Sequence, residues 1–261
     1  MIQVCKEIKE NLNALHIQFF VTIKTNVAAT RLGALWWIMD PLFLMLIYTF
    51  VVKIVFNRGG PKYHLFALCG IVTWQSFARS INLCSTALSR NSQLIKQIKL
   101  PMHLYVILPP VVQSFFYLIG LGIVAIWNNS VIGWHTLAVF TLLLPMILIP
   151  YVIGLFLSIF TVKIPDVGKV VPYLLRLGFY LSPILYPPER IYELKSISPV
   201  FKSIYALNPM VHIITAVRDL LFTGKMFNIN KMVIIIGVTL IFLKVGIVIF
   251  RGYARFIPKE L

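Results

Sequence analysis

Chemistry needs polar groups that converge, and here such groups are few and scattered. Only eight of the 261 residues are acidic, and Asp40 alone falls inside an expected membrane span. A membrane enzyme acting on a prenyl phosphate through a metal ion needs paired carboxylates, and no second acid stands near Asp40 in the chain. His16, His64, His103, His135 and His212 lie far apart and read as structural. Cys5, Cys69 and Cys84 match no metal or redox spacing and read as small apolar residues. Neither a nucleophile elbow nor a GxxxxGK[ST] phosphate loop occurs, so if transport is energised by ATP, a separate subunit must bind the nucleotide and its magnesium. No metal site or catalytic residue is expected. What stands out instead is rings and hydroxyls within apolar runs. Trp36, Trp37, Phe43, Tyr48 and Phe50 stud the first run; Tyr173, Phe179, Tyr180 and Tyr186 stud a later one. Tyr and Trp at span ends often form interface belts. A hydroxyl deep in a span, as on Tyr48 or Tyr180, needs a partner or a wet pathway. Rings with hydroxyls also suit sugars, whose C–H faces stack and whose edges hydrogen-bond. Trp36, Trp37, Tyr48, Tyr173, Tyr180 and Tyr186 are therefore candidates to line a channel.

The elements that carry these residues follow from composition. The chain is 59% hydrophobic and 12% charged, with a mean hydropathy of +0.87. Soluble domains carry about a quarter charged residues, so the class is an all-α polytopic membrane protein. Six spans are expected, at about 33–56, 64–87, 104–127, 134–161, 170–187 and 231–250, each long enough to cross a core of about 30 Å. The net charge of +16 fits basic loops that set membrane orientation better than it fits nucleic acid. With the N-terminus inside, Lys6, Lys9, Lys24, Arg31, Arg90, Lys96, Lys99, Lys163, Lys169, Arg251, Arg255 and Lys259 all lie on the inner side. The first two outer loops hold only Arg58 and Lys62. Both termini are thus expected in the cytoplasm, with an even number of crossings. The segment 204–222, with Asn208-Pro209, His212 and Arg218-Asp219, would break that count as a seventh span. It is read as part of an outer re-entrant region, 188–224, where Asn208 caps and Pro209 opens a half-crossing helix that ends near Gly224. Lys53, Arg176 and Lys244 lie near enough to span ends to reach an interface, whereas Arg79 lies deeper and is a functional candidate.

Two segments outside the spans carry patterns of their own. Residues 1–30, ahead of a transmembrane domain at 31–261, place Val4, Ile8, Leu12, Leu15, Phe19, Ile23 and Val27 on one helical stripe, with Lys6, Lys9, Glu10, Asn13 and Lys24 off it. A basic amphipathic helix before a span fits the membrane lipid interface or a packing partner. The segment lacks the plan of a signal peptide and is expected to persist in the mature chain. Between the second and third spans, 89–103, Leu94, Ile95 and Ile98 form a short apolar face among Arg90, Lys96 and Lys99, closed by Pro101. It reads as a docking element for a soluble partner, or else as a second surface helix.

Five stretches in order resemble the membrane permease subunit of ABC-type polysaccharide exporters, which move O-antigen, capsule or teichoic-acid chains. RLGALWWIMDPLFLMLIYTF is similar to the family's first helix, and residues 91–101 to its coupling segment. VGKVVPYLLRLGFYLSPILYP is similar to its fifth helix and exit, LNPMVHIITAVRDLL to its outer re-entrant helix, and FRGYARFIPKEL to its basic tail. One departure is Lys163, Pro165 and Asp166, where the family commonly has an Arg-Asp pair. The resemblance implies a homodimer in a bacterial inner membrane, with the first and fifth helices lining a channel and two cytoplasmic ATPases docked against residues 90–103. It further implies a lipid-linked polysaccharide substrate whose phosphate meets cations at the entrance, where Lys24, Arg31 and Arg176 are candidates with Asp40 nearby. A permease for drugs or small lipids shares this layout and is the nearest alternative. A membrane glycosyl- or prenyl-transferase would need the acidic ligands that are missing. A secondary transporter would need an internal repeat or a proton relay.

Overall fold

The computed structural model describes residues 2–28, 31–98, 100–129, 133–254 and 256–257, and among these there is no β-strand. The N-terminal segment forms α1 (Ile2–Glu10) and α2 (Leu12–Ala28). The single stripe expected there is interrupted at Asn11, whose side chain caps back onto the Glu7 carbonyl at 2.8 Å. Leu12, at the restart, is exposed, while Ile8, Leu15, Phe19, Ile23 and Val27 are half-buried. Gly33, at φ +48°, turns the chain into a short 3-10 segment, Gly33–Leu35. A Cβ there would meet the Val27 carbonyl at 2.9 Å, so both conformation and space call for glycine.

The first long helix, α3 (Trp36–Thr49), widens into a π-helical end, Phe50–Val55. Then come α4 (Tyr63–Ser85), the short α5 (Ala87–Arg90) and α6 (Ser92–Gln97), and α7 (His103–Trp127). A single turn, α8 (Trp134–Leu137), precedes α9 (Val139–Lys163) and α10 (Asp166–Tyr180). The region that follows is broken by prolines into α11 (Glu189–Glu193), α12 (Pro199–Leu207) and α13 (Pro209–Arg218). The last of these also widens, over Asp219–Thr223, and stops at left-handed Gly224. Finally α14 (Ile229–Ala254) closes the chain.

Among the described residues, four stretches are long and apolar enough to cross a membrane: α3 with its π-helical end, α7, α9 and α14. The other two expected spans differ for physical reasons. At 23 residues α4 is long, but Gln75, Ser76, Arg79, Ser80 and Asn82 dilute its hydropathy. Only 15 residues form α10, about 22 Å of helix. It begins four residues ahead of the expected start and stops at Tyr180, short of Pro183. The α12 and α13 helices meet at 68° across Asn208.

At the centre lies α4, packed against α3, α7 and α9 and touched by α10 and α13. Leu68, Ile71, Trp74 and Phe77 join Tyr117, Leu142, Met146, Ile213 and Val217 in the main core. Close approach of α4 and α9 depends on Gly154, where any Cβ would collide with that of Cys84. At one end of the bundle Glu7 accepts from Arg251 at 2.8 Å and faces His103 at 3.4 Å, and Lys163 sits over the Tyr253 ring. That end therefore gathers α1, the start of α7 and the last turns of α9 and α14. At the other end Lys62 donates to Asn128 at 3.1 Å, Asn128 donates to the Leu221 carbonyl, and Tyr63 donates to the Leu185 carbonyl.

Candidate functional site: an ion-paired aromatic groove

On α3, Trp37 and Asp40 are three residues apart and share a helix face. Both turn toward α4 and meet Arg79. The Arg79 Nη2 donates to Asp40 Oδ2 at 2.6 Å, and its guanidinium lies 4.9 Å from the Trp37 ring. Trp37 in turn stacks on Phe116 of α7, with centroids 3.8 Å apart and planes 9° from parallel. Exposure of 44% at Asp40 and 32% at Arg79 leaves the pair on the wall of an open space rather than within the core. Only one oxygen of the carboxylate is used, although a guanidinium fork can engage two.

About two turns further along α3, the Tyr48 hydroxyl lies 3.3 Å from that of Tyr180 on α10. Tyr48 stacks on Phe179, Phe179 meets the edge of Trp74, and Tyr186 donates to the Tyr180 carbonyl at 3.2 Å. Between these two constellations runs a groove of about 380 Å³, walled by α3 and α10 and floored by α4. Arg176 stands on its α10 wall beside Arg79, Gln75 and Asn82. Outside the groove the two walls present apolar side chains to the surroundings: Phe43, Leu46 and Ile47 on α3 with Phe50 in its π-helical end, and Leu174 and Leu177 on α10 with Leu181 just past it.

The structure therefore brings Tyr48, Arg176 and Tyr180 to one groove, with Tyr186 bonded to Tyr180; Asp40 and Trp37 touch it only through Arg79. Trp36 and Tyr173 face outward instead, 41% and 69% exposed. Lys24 and Arg31 are exposed at the end of α2 and at the turn into α3. The candidate docking face is split. Leu94 and Ile98 are exposed with Arg90 and Lys96, but Ile95 turns inward onto Leu100, Leu104 and Tyr105. Lys99, Arg255 and Lys259 lie outside the described residues, as do the side chains of Val4, Cys5 and His135.

In the region α11–α13 Asn208 Oδ1 accepts from the Met210 amide at 3.0 Å and Pro209 takes the first helical position, as the sequence pattern requires. Asn208 Nδ2 also donates to Ser182 Oγ. Arg218 does not pair with Asp219. It is buried, and its Nη1 and Nη2 donate to the carbonyls of Pro183 at 2.6 Å, Ile184 at 2.7 Å and Phe66 at 3.1 Å. Its guanidinium also stacks over the Phe66 ring. A Cβ at Gly70 would lie 2.7 Å from Arg218 Nη2 and 2.9 Å from the Ile184 carbonyl oxygen, so this carbonyl cradle requires glycine on the facing turn of α4.

Sequence reasoning left Asp40 without a partner and passed over the α4 floor. A signal was present: Gln75, Arg79 and Asn82 recur at steps of four and three, a polar stripe on an otherwise apolar helix.

Long apolar helices packed around a central α4 are the features of a polytopic membrane protein. The chain matches the ABC-2 type transporter family over residues 18–222 and belongs to it. It is 27% identical over 234 residues to an O-antigen export system permease protein RfbA of Klebsiella pneumoniae, covering 88% of this chain and 87% of that one. It is 22% identical to the RfbA of Myxococcus xanthus, over 97% and 96% of the two chains. The polysialic acid transport protein KpsM of Escherichia coli is 24% identical, over 89% and 90%.

Proposed function

We propose that this chain is the channel subunit of an ATP-driven exporter of a lipid-linked polysaccharide, O-antigen first and capsule or teichoic acid next, in a bacterial cytoplasmic membrane. The observation that carries this reading is the α3–α10 groove, where stacked rings and the paired Tyr48 and Tyr180 hydroxyls offer the mixed apolar and hydrogen-bonding surface that sugar rings need. Relatives named for O-antigen export and polysialic acid transport support it. In this reading α4 and α10 join the four apolar helices as crossings, making six. Packing of α4 and α10 among longer apolar helices supports the count, because neighbours shield polar groups from lipid. The Glu7–Arg251 bond supports termini on one side, and the basic loops support the cytoplasm as that side. The α11–α13 region then forms an outer re-entrant lip.

The exposed apolar walls of α3 and α10 support a homodimer, in which two grooves face one another across a shared channel. ATP and magnesium are bound by two copies of a separate ATPase, docked on α5, α6 and the exposed Leu94 and Ile98. The N-terminal helices lie at the cytoplasmic interface, with Lys24 and Arg31 at the entrance. The test is surface polymer in a strain lacking the chromosomal permease. Tyr48→Ala with Tyr180→Ala is expected to reach the membrane at normal levels and cut surface polymer at least tenfold. Normal polymer in that variant would refute the aromatic pathway. Restoration by Tyr48→Phe with Tyr180→Phe would assign the work to the rings rather than the hydroxyls.

A further inference from the structure

A second cavity shares no residue with the groove. It measures about 250 Å³ and is bounded by α11, by α13 with its π-helical end, and by the start of α14. Glu189 and Tyr192 come from α11, His212, Thr215 and Asp219 from α13 and its extension, and Lys231 from the first turn of α14. Asp219 is half-buried and Glu189 is exposed, and the two lie within electrostatic reach of each other. Neither carboxylate makes an ion pair among the described residues, and nor does Lys231. The Nε2 of His212 lies 2.8 Å from the Ala206 carbonyl oxygen. That nitrogen therefore carries a proton, which in the neutral ring leaves Nδ1 as an acceptor. The lining thus offers acceptors in excess, with one cation among them.

Two carboxylates against one ammonium call for a ligand that brings positive charge and hydrogen-bond donors. A metal ion is a poor match, because among the described residues no three His, Cys, Asp or Glu side chains converge as ligands. A primary ammonium fits, since its three N–H groups can be shared between two carboxylates. Lys231, at the positive end of α14, suits an anion joined to that ammonium. The rest of the ligand is indicated by the helix itself. Lys231, Ile234, Val238 and Ile241 recur at steps of three, four and three on one face of α14. The three apolar side chains are 64%, 47% and 65% exposed. From Lys231 to Ile241 the helix rises about 15 Å, half of a hydrocarbon core of about 30 Å. A mixed-charge cavity therefore heads an apolar lane one leaflet deep. We propose that it binds a phospholipid with a primary-ammonium headgroup. The ammonium sits on Glu189 and Asp219, the phosphate at Lys231, and one acyl chain along Ile234, Val238 and Ile241. The volume lies just under the roughly 300–1,000 Å³ of drug-sized sites, which suits a headgroup better than a run of sugars. A quaternary ammonium lacks the donors and a glycerol headgroup lacks the charge, so the site discriminates against both. The bound lipid bridges α11, α13 and α14 and braces the broken region against the last helix. Its placement in the outer leaflet rests on the orientation proposed above; the binding itself does not.

The test is native mass spectrometry of the permease with its ATPase subunit in detergent, titrated with phosphatidylethanolamine, phosphatidylcholine and phosphatidylglycerol of matched chains. Saturable retention of phosphatidylethanolamine is expected, with the other two lipids held more weakly. Glu189→Gln with Asp219→Asn should weaken it by about tenfold or more, the loss expected when charge-assisted hydrogen bonds are removed. Glu189→Gln alone replaces an exposed side chain and cannot unfold the region, so its smaller loss of about threefold guards against a misfolded double variant. Glu193→Gln removes an acid of α11 outside the cavity and should change nothing. The proposal is overturned if phosphatidylcholine or phosphatidylglycerol binds as tightly, or if both acid variants bind as wild type. Displacement of the lipid by glucosamine at equal concentration would also overturn it, by reassigning the cavity to an amino sugar. Polymer export by wild type is scored separately: export without selective lipid binding sinks this site and leaves the export reading standing.

Discussion

Replacing Arg218 by Met should loosen the joint between α10, α4 and α13. The guanidinium provides the only donors to the carbonyls of Pro183 and Ile184 among the described residues; the Phe66 carbonyl lies inside α4, where the helix ladder also serves it. A buried carbonyl left without a donor costs about 1–3 kcal/mol, so two cost about 2–6. Removing a cation that is buried with no carboxylate in ion-pair range returns part of that. The net loss is then about 2–4 kcal/mol, or roughly 5–15 °C in an apparent melting temperature for a chain of this size. The assay is thermal unfolding of purified protein followed by size-exclusion chromatography, with Arg190→Gln as surface control. Gly70→Ala forms a second arm, because its Cβ would crowd both Arg218 and the Ile184 carbonyl. Residues in such direct contact couple by about 0.5–3 kcal/mol, so the cost of Gly70→Ala should shrink in the Arg218→Met background. Melting of Arg218→Met within about 2 °C of wild type, or strict additivity with Gly70→Ala, would refute the cradle as a support.

Leu94→Asp with Ile98→Asp should leave melting within about 0.5 kcal/mol of wild type, since both side chains are exposed, while abolishing copurification of the ATPase; intact copurification would exclude this face as the dock. Ile95→Asp should instead lower the melting temperature, because it faces the cluster at Leu100 and Leu104. Glu7→Gln should weaken the tie to Arg251 by about 1 kcal/mol and speed amide exchange in α1; unchanged exchange would mean that the bond does not hold that helix.

Features governed by neighbouring residues were legible in the sequence. Asn208-Pro209 opened a helix where a capping side chain and a fixed φ coincide, and Gly224 ended one. The length of the apolar runs located the four long apolar helices within a few residues. Pairings across the chain were not legible. Asp40 and Arg79 stand 39 positions apart, and nothing local selects one for the other. Arg218 and Asp219 looked like a pair because they are adjacent, yet adjacent helical side chains diverge by about 100°, which left Arg218 free to turn inward. The break at Asn11 was hidden because apolar residues continue on both sides of it. For the site, the rings of α3 and α10 were found from their types alone, while the α4 floor that joins them emerged only from packing.

The small cluster at the start of α7 has a mechanical consequence. Ile8 of α1 and Ile95 of α6 both pack against the cluster of Leu100, Leu104 and Tyr105, and protein interiors packed in this way transmit strain rather than absorb it. A push on α6 that preserves these contacts must therefore swing the N-terminal helix with it. The two segments, 87 positions apart in the chain, act as the arms of one lever whose fulcrum is the first turn of α7.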